Sequence, residues 1–336
     1  MKLTAALPTL LLFSAGIVSA QPTPKTDDDH IKIHFLDVGS GSCQLVECPG
    51  DPATTAPLLI DCGSRALRPA LARDRDEVKA YVDAILAAYP DPIVALSHGD
   101  QDHYRFVPNL VPKAKIVWFG ARKIGYGKKT KDWFDAQESL GVTVKGGFGD
   151  FSSGFHNNGA PVADLACGDA ETFVLTVNKG IEKNSRSMVL RIEHGDFSVT
   201  FSGDAEEPTQ NSVIANFPGG IETTVLTASH HGAETEKSNE PAWATATSPE
   251  VVIYSAGVRF YHPLCSIVGN YRSTLKSDVS PHPFWCGDRA GLKSKYHRPS
   301  RMTTLAEYTT AISGVVTVES DGTNYTIECG LTPGCG

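Results

Sequence analysis

The chain has 336 residues, of which 41% are hydrophobic and 20% are charged, and it contains 8 cysteines. The apolar content is sufficient for a sizeable core, and the charged fraction is too low for a disordered chain. With 30 basic and 38 acidic side chains, the formal net charge is −8. This balance argues against a protein that coats nucleic acid over its whole surface, although it leaves room for a local basic groove.

The first twenty residues have the parts of a secretory signal peptide. Lys2 precedes an apolar run from 3 to 18, and small residues lead to a cleavage site after Ala20. No charged stop follows the run, which favours cleavage over an N-terminal anchor. We therefore predict a signal peptide at 1–20 and a flexible mature N-terminus at 21–30. The protein is then secreted, extracellular or periplasmic, without stable membrane insertion.

The remaining chain reads as alternating strands and helices. Apolar runs predict strands at 31–38, 44–47, 58–61, 93–96, 116–119, 172–177, 188–193, 197–201, 225–228, 251–254, 315–318 and 325–329. Helical spacing predicts helices near 78–89, 131–140 and 240–246. Runs of strands followed by helices predict an α+β sandwich of two sheets flanked by helices, αββα. We assign one domain to 31–329, with an irregular Cys-containing insertion at about 263–301 and a tail at 330–336.

The even number of cysteines favours disulfide bonds in an exported protein. No two of them form a CxxC pair, which argues against a zinc ribbon. Connectivity does not follow from sequence. The short loops make Cys265 with Cys286, and Cys329 with Cys335, the simplest pairs to consider.

The strongest chemical signal is the segment His98-Gly99-Asp100-Gln101-Asp102-His103, directly after the apolar run at 93–96. Four side chains of metal-ligand type lie within six residues, and a loop at a strand end can direct them to one point. Imidazole and carboxylate together suit Zn²⁺, Mn²⁺ or Fe. A polar turn that merely caps a helix would need one Asp rather than two Asp and two His. We therefore predict a metal site.

Three further motifs also follow strands: Gly203-Asp204-Ala205-Glu206, Ser229-His230-His231-Gly232 and Tyr261-His262-Pro263. Each is weak alone, because an Asp often caps the helix that follows it and a single His is often a surface residue. Five of the 11 histidines lie in these motifs and in the first one. Their joint occurrence in this order is far more specific than any one of them.

These motifs resemble those of the metallo-β-lactamase superfamily, and most closely the branch with the soluble domain of ComEC-type DNA-uptake proteins. That branch also has equivalents of the segments 35–41, 58–63 and 187–190, and it has Asp where typical members have a second His, as Asp100 does here. The resemblance covers about 31–263 and, weakly, the final hairpin. It implies a four-layer αββα sandwich of two mixed sheets, with a metal site at the sheet edges.

The resemblance also implies a site with one or two divalent ions, Zn²⁺ or Mn²⁺. The residues that match the family's ligands, in chain order, are His98, Asp100, Asp102, His103, Asp204 and His231. His98 and Asp100 would hold one ion. Asp102, His103 and His231 would hold the other, and Asp204 would bridge the two.

Other residues would complete the site. His230 would either support a metal ligand or act on the substrate, and Glu206 would position it. His262 would face the substrate as a charge stabiliser or an acid. Asp37 and Asp61 would brace loops. The sequence departs from the family at 183–187, where typical members supply a further His and this chain has none. The first metal would then have three protein ligands at best.

A basic run in this acidic chain suggests contacts with nucleic acid. It comprises Arg122, Lys123, Lys128, Lys129 and Lys131, and the aromatic residues between or beside them are Trp118, Tyr126 and Trp133. Lysines would contact phosphates while aromatic rings stack on bases. The alternative is a solvated loop and helix face. Arg259, near His262, is a second candidate phosphate contact.

We interpret the chain as a secreted metal-dependent hydrolase. The expected substrate is a phosphodiester in DNA or nucleotides, cleaved by a metal-activated hydroxide. A nuclease-like activity rests mainly on the resemblance. Alternatives are a phosphorylcholine-type esterase, a lactone or lactam hydrolase, and a non-enzymatic surface-binding protein with a degenerate metal site. The sequence does not indicate an oligomeric state.

Overall fold

The computed structural model describes residues 22–65, 75–150, 159–257, 260–288, 300–331 and 335. The predicted signal peptide at 1–20 and the predicted phosphate contact Arg259 lie outside these residues. Within them, no helix combines the length and the apolar character needed to cross a membrane.

Strands and helices follow one another along most of the described chain. In chain order the strands are β1 (Ile31–Phe35), β2 (Cys43–Glu47), β3 (Leu58–Cys62), β4 (Ile93–Leu96), β5 (Ile116–Phe119), β6 (Thr143–Gly146), β7 (Glu171–Thr176), β8 (Val189–His194), β9 (Phe197–Phe201), β10 (Val225–Thr227), β11 (Val251–Tyr254), β12 (His282–Phe284), β13 (Arg301–Thr303), β14 (Glu307–Thr309), β15 (Val316–Ser320) and β16 (Tyr325–Cys329). The helices are α1 (Arg75–Leu86), α2 (Gln101–Tyr104), α3 (Val107–Leu110), α4 (Lys128–Ser139), α5 (Gly147–Asp150), α6 (Glu207–Asn216), α7 (Pro241–Thr247), α8 (Cys265–Tyr271) and α9 (Thr310–Ser313).

The described strands form two large mixed sheets. The first has eight strands in the order β16-β15-β1-β2-β3-β4-β5-β6, and the second has six in the order β14-β11-β10-β9-β8-β7. Strands β3 to β6 run parallel to one another, as do β9, β10, β11 and β14, whereas the other neighbours pair antiparallel. The carboxyl ends of β3, β4, β9 and β10 supply the loops that carry the sequence motifs.

Alternating side chains place a core on each face of both sheets. In β3, Leu58 and Ile60 belong to the core between the sheets, whereas Leu59 belongs to the core beneath the outer helices. In β11, Val251 and Ile253 face the inter-sheet core, and Val252 and Tyr254 face the helices on the other side. Both sheets are therefore buried on two faces, which requires a layer of helices outside each of them.

The outer layers form from amphipathic helices. Helix α1 buries Val78, Tyr81, Val82 and Ile85, which recur at helical spacing along one face. Helix α4 packs Trp133 and Phe134 on the same side of the first sheet. Helices α6, α7 and α8 cover the second sheet through side chains such as Val213, Trp243 and Tyr271. These layers confirm the predicted αββα sandwich.

The described residues of the region 263–301, at 263–288 and 300–301, include regular structure. It contains helix α8 and strand β12, and the disulfide between Cys265 and Cys286 links the start of α8 to a later segment. Helix α8 is only seven residues long and includes Gly269, so its sequence carries little helical signal. Its stability comes from tertiary packing, since Ile267, Val268 and Tyr271 are buried under the second sheet.

The eight cysteines form four disulfides, and no free cysteine is present among the described residues. The predicted pairs Cys265–Cys286 and Cys329–Cys335 are confirmed. The other pairs, Cys43–Cys62 and Cys48–Cys167, bring together residues that are 19 and 119 positions apart. Cys48–Cys167 ties the first sheet to the segment that precedes the second one.

Removing the disulfide that closes the longest loop should lower the free energy of unfolding more than removing the one that closes the shortest loop. A bond that closes a loop of 119 residues restricts the unfolded chain more than one that closes a loop of 6. The chain-entropy relation gives about 5 kcal/mol for the first and about 2 kcal/mol for the second. We expect Cys48→Ala/Cys167→Ala to lose more free energy of unfolding than Cys329→Ala/Cys335→Ala, measured by denaturant titration without reductant. Equal losses would contradict this account.

The described part of the predicted flexible N-terminus contacts the first sheet. Lys25 donates to the carbonyl oxygens of Asp28, Cys48 and Gly50 at 2.7, 3.1 and 2.6 Å. The hydroxyl of Thr26 donates to Glu319 in β15 at 2.6 Å. These bonds hold residues 25–28 along the edge of the domain, far from the strand ends that carry the motifs.

Candidate metal centre

Asp61 and three of the four motifs meet where strands of both sheets end. Asp61 lies at the end of β3, and the His98 segment follows β4 in the first sheet. Asp204 follows β9, and the paired histidines follow β10 in the second sheet. Because the carboxyl ends of parallel neighbours lie at one edge, these loops face each other across the sandwich. Gly203 makes this approach feasible: its φ is +51°, and an added Cβ would lie 2.7 Å from the Cβ of Ser97.

Two overlapping groups of potential ligand atoms result. His98, His103 and Asp204 form one group, and Asp102, His103 and His231 form the other, with all ligand atoms of each group within 4.8 Å of one another. Asp204 lies between them. Its Oδ1 is 3.0 Å from His103 Nε2 and 3.6 Å from His231 Nε2, whereas its Oδ2 is 3.7 Å from His98 Nε2.

The chemistry of these atoms fits a divalent cation. The Nε2 atoms of His98, His103 and His231 and the Oδ1 of Asp204 are buried, and none has a hydrogen-bond partner among the described residues. Leaving one buried polar atom unpaired costs about 1–3 kcal/mol. His103 Nε2 and Asp204 Oδ1 lie 3.0 Å apart and attract each other, but the Nε2 atoms of His231 and His98 are 3.6 and 3.7 Å from Asp204, so this grouping requires an explanation. Imidazole nitrogens with carboxylate oxygens are common ligands of Zn²⁺ and related ions.

The opposite nitrogen of each ring is held by a neighbour. His98 Nδ1 is 3.0 Å from Ser97 Oγ, His103 Nδ1 is 2.7 Å from Asp61 Oδ2, and His231 Nδ1 is 2.7 Å from the carbonyl oxygen of Ser255. A carbonyl oxygen only accepts, so His231 carries its proton on Nδ1. Such contacts fix the ring orientation, and in a neutral ring with its proton on Nδ1 the Nε2 lone pair is directed into the centre, as metal-binding histidines require.

Burial and neighbouring charges set the protonation of the rings. Burial, with His103 nearby, lowers the pKa of His98 to about 4, so its ring is neutral. Burial also disfavours the charged form of His103, but the carboxylates of Asp204 and Asp61 outweigh it and raise the pKa of His103 well above its usual value. A proton and a metal ion therefore compete for His103 Nε2, and metal binding should release a proton.

The backbone of the paired histidines is left-handed at both positions. His230 has φ 49° and ψ 42°, and His231 has φ 58° and ψ 20°. Consecutive left-handed residues other than glycine are uncommon and cost free energy, so they occur where the surrounding structure imposes them. The turn brings both rings to the centre. His230 Nε2 lies 3.7 Å from Asp204 Oδ2, on the same oxygen that faces His98.

An open cavity of about 570 Å³ lies over the centre. Its walls include Asp102, Asp204 and His231 on one side and Phe260 and His262 on another. The rings of His230 and His262 are 6.2 Å apart between centroids, so both predicted substrate-facing histidines border the same space. A ligand of nucleotide size would fit between these walls.

Other predicted site residues have different surroundings. Asp100 lies outside both ligand groups and contacts Arg65 and Lys183. Glu206 accepts hydrogen bonds from Asn184 and Ser185, so it holds the segment where the family's extra His would be. The two predicted loop braces are Asp37, whose Oδ1 accepts from Gly39 N at 3.1 Å, and Asp61, which accepts from Ser97 N and Ser97 Oγ at 2.7 Å each.

The aromatic half of the basic-run hypothesis is wrong. Trp118, Tyr126 and Trp133 are buried in the cores of the domain, because their bulk fills space beneath and between the sheets. They cannot stack on bases. Of the lysines, Lys128 pairs with Asp132 at 2.7 Å, and Lys129 donates to Asn109 at 2.5 Å.

Sequence reasoning missed several residues at the centre. Ser97 joins Asp61 to His98, the Ser255 carbonyl orients His231, and Ser187 Oγ accepts from the backbone N–H of Asp204 at 3.1 Å. Ser97 could have been noticed, since it stands beside the first ligand. Ser255 contributes its backbone carbonyl oxygen, which every residue type has, so its role cannot be predicted from the sequence.

No family model matches the chain. It is 35% identical over 249 residues to the ComE operon protein 3 of Bacillus subtilis (strain 168), which covers 69% of this chain and 29% of that protein. It is 28% identical over 123 residues to the competence protein ComA of Neisseria gonorrhoeae, which covers 35% of this chain and 18% of that protein. The chain thus spans less than a third of either relative.

Among solved structures, the fold is similar to the metallo-β-lactamase fold protein YhfI from Bacillus subtilis. The identity is 14%, the TM-score is 0.43, and the match covers 73% of this chain and 94% of that one. The αββα layers, the motifs at the strand ends and the sequence similarity to competence proteins confirm the predicted resemblance. The chain has the predicted four-layer αββα fold and is similar in sequence to part of two competence proteins, the ComE operon protein 3 and ComA.

Proposed function

We propose that the chain is a metal-dependent hydrolase of phosphodiesters, with DNA or nucleotides as the substrate class. The observation that carries this proposal is the convergence of four unpaired buried ligand atoms at the base of an open cavity. The Nε2 atoms of His98 and His231 have no hydrogen-bond partner among the described residues, and a bound cation would satisfy both of them. The cavity above them gives a substrate access to the same point.

The proposed ligands are Asp102, His103, Asp204 and His231 for one ion, and His98 with Asp204 for a second one. When bound, such ions supply a hydroxide near neutral pH and accept negative charge from the substrate. Asp61, Ser97 and Ser255 keep the rings in place. Asp204, buried between the two groups, contributes charge to both.

His230 and His262 are the proposed groups for contact with the substrate and its leaving group. Both border the cavity, and His230 has a buried Nδ1 without a hydrogen-bond partner among the described residues. An imidazole can donate a proton to a departing alkoxide near neutral pH. Glu206 acts on this wall indirectly, since it holds Asn184, whose side chain also borders the cavity.

Charge supports a phosphodiester over a lactam or lactone. Arg65 lines the cavity, and Lys183 pairs with Asp100, which also lines it, so an anionic substrate would gain from these cations and a neutral lactam or lactone would not. The similarity to competence proteins supports nucleic acid as the class. The four disulfides support export to an oxidising compartment, extracellular or periplasmic.

Turnover of a matched substrate panel tests this proposal. Metal-loaded protein should hydrolyse bis(p-nitrophenyl) phosphate and DNA faster than p-nitrophenyl phosphate, p-nitrophenylphosphorylcholine, a lactam or a lactone. Removal of metal with a chelator should abolish the activity, and Zn²⁺ or Mn²⁺ should restore it. The proposal fails if metal-loaded protein hydrolyses lactams or lactones but no phosphodiester. It also fails if metal-loaded protein turns over nothing in the panel, as expected of a binding protein.

A further inference from the structure

The carboxylate of Asp100 lies between two cationic side chains. Its Oδ2 is 3.1 Å from Arg65 Nη2, and its Oδ1 is 2.8 Å from Lys183 Nζ. Arg65 comes from the loop after β3, and Lys183 comes from the segment between β7 and β8. A single carboxylate therefore holds together two cations that are supplied by opposite sheets.

This arrangement separates Asp100 from the metal ligands. Both of its oxygens face cations, and it belongs to neither group of converging ligand atoms in the described chain. Arg65 also reaches Asp102, with Nε 3.2 Å from Oδ1. The guanidinium thus contacts one proposed ligand directly, whereas Asp100 contacts the guanidinium and lies outside the ligand groups.

Stability alone does not explain two cations at this place. The side chains of Arg65 and Lys183 are 37% and 49% exposed, and ion pairs with that exposure contribute about 0–1 kcal/mol. This exposure leaves both cations accessible to a solute, and Lys183 contacts Asp100, which lines the cavity. Arg65 lines that cavity together with Asp204 and His231.

We propose that Arg65 and Lys183 bind the non-bridging oxygens of the substrate phosphate, and that Asp100 is a positioning residue for them rather than a metal ligand. A guanidinium offers several N–H donors in a planar fork that matches a phosphate, and an ammonium adds a point charge. Lys183 then lies in the segment 183–187, where the chain lacks the family's extra His. This proposal rests on the proposed function for its substrate class.

Binding of inorganic phosphate to metal-loaded protein tests the cations without any turnover. We expect Arg65→Gln and Lys183→Gln each to weaken phosphate binding roughly 10- to 100-fold in calorimetry at low salt, the loss expected for one charged hydrogen bond. The effect should shrink as salt increases. Lys237→Gln is the matched control, because Lys237 is an exposed lysine that pairs with Glu207 at 2.9 Å, and it should bind phosphate like wild type. In steady-state assays the two cation variants should raise KM for bis(p-nitrophenyl) phosphate more than they lower kcat.

Metal content tests the role of Asp100. Asp100→Asn should retain the wild-type number of ions by elemental analysis, whereas Asp102→Asn should lose metal. Loss of an ion from Asp100→Asn would overturn the proposal and restore Asp100 as a ligand. Wild-type phosphate affinity in both cation variants, or no phosphate binding by the wild type, would overturn it as well. Failure of the substrate panel alone would overturn the proposed function. The phosphate-binding and metal-content measurements would still decide the roles of Arg65, Lys183 and Asp100.

Discussion

Asp204→Asn should remove most of the bound metal and nearly all hydrolysis. Asp204 is buried, and its two oxygens face three proposed ligand histidines at 3.0, 3.6 and 3.7 Å. An amide has the same shape, but it lacks the charge and presents N–H donors in place of one oxygen. We expect a loss of activity above the roughly 10–100-fold that follows removal of an outer hydrogen-bond partner of a metal site.

Two comparisons make this result specific. Asp61→Asn changes an outer partner, which contacts His103 Nδ1 at 2.7 Å, and it should lower metal affinity by only about 10–100-fold. Asp91→Asn removes a surface carboxylate that pairs with Lys113, and it should change neither metal content nor rate. Metal content is measured by elemental analysis, and rate with bis(p-nitrophenyl) phosphate. An Asp204→Asn protein with wild-type metal and wild-type turnover would show that the centre is misassigned.

His230→Ala and His262→Ala should keep the metal but slow the reaction. Both rings border the cavity, and neither belongs to the two ligand groups found in the described chain. Removing one proton-transfer group typically costs about 10²–10⁴-fold in rate. The loss should be smaller with a substrate whose leaving group is a good one, because such a group departs without a proton. Measuring kcat for diesters with leaving groups of different pKa checks this expectation.

The matched control is His194→Ala, in which the altered ring lies at the far end of β8 and contacts the carbonyl oxygen of Asp29. It should retain both metal and rate. Loss of an ion from His230→Ala would instead identify His230 as a ligand. The experiment distinguishes the two roles, because His230 Nε2 is as close to Asp204 Oδ2 as the proposed ligand atom His98 Nε2, at 3.7 Å.

Sequence alone determined the fold class and indicated the strand ends at which the proposed centre lies. Strands with continuous or alternating apolar residues are local features, and the His98 segment, Asp204 and the paired histidines each follow one of them. The family resemblance implies a metal site at the sheet edges, and His98, His103, Asp204 and His231 converge there. Short strands such as β14, with three residues, were missed because they are too brief to show a period.

Only the tertiary structure decided which neighbours each side chain has. Aromatic residues such as Trp118, Tyr126 and Trp133 occur both in protein cores and on surfaces that stack on bases. Only the burial of these side chains shows that they belong to the core. Cys48 and Cys167 lie 119 residues apart, and nothing local links them. Asp100 belongs to the motif by its position, yet its partners Arg65 and Lys183 come from distant loops. Contacts between distant segments depend on how whole sheets pack. The partners that packing brings to a carboxylate then decide whether it points to the proposed metal centre or pairs with a basic side chain.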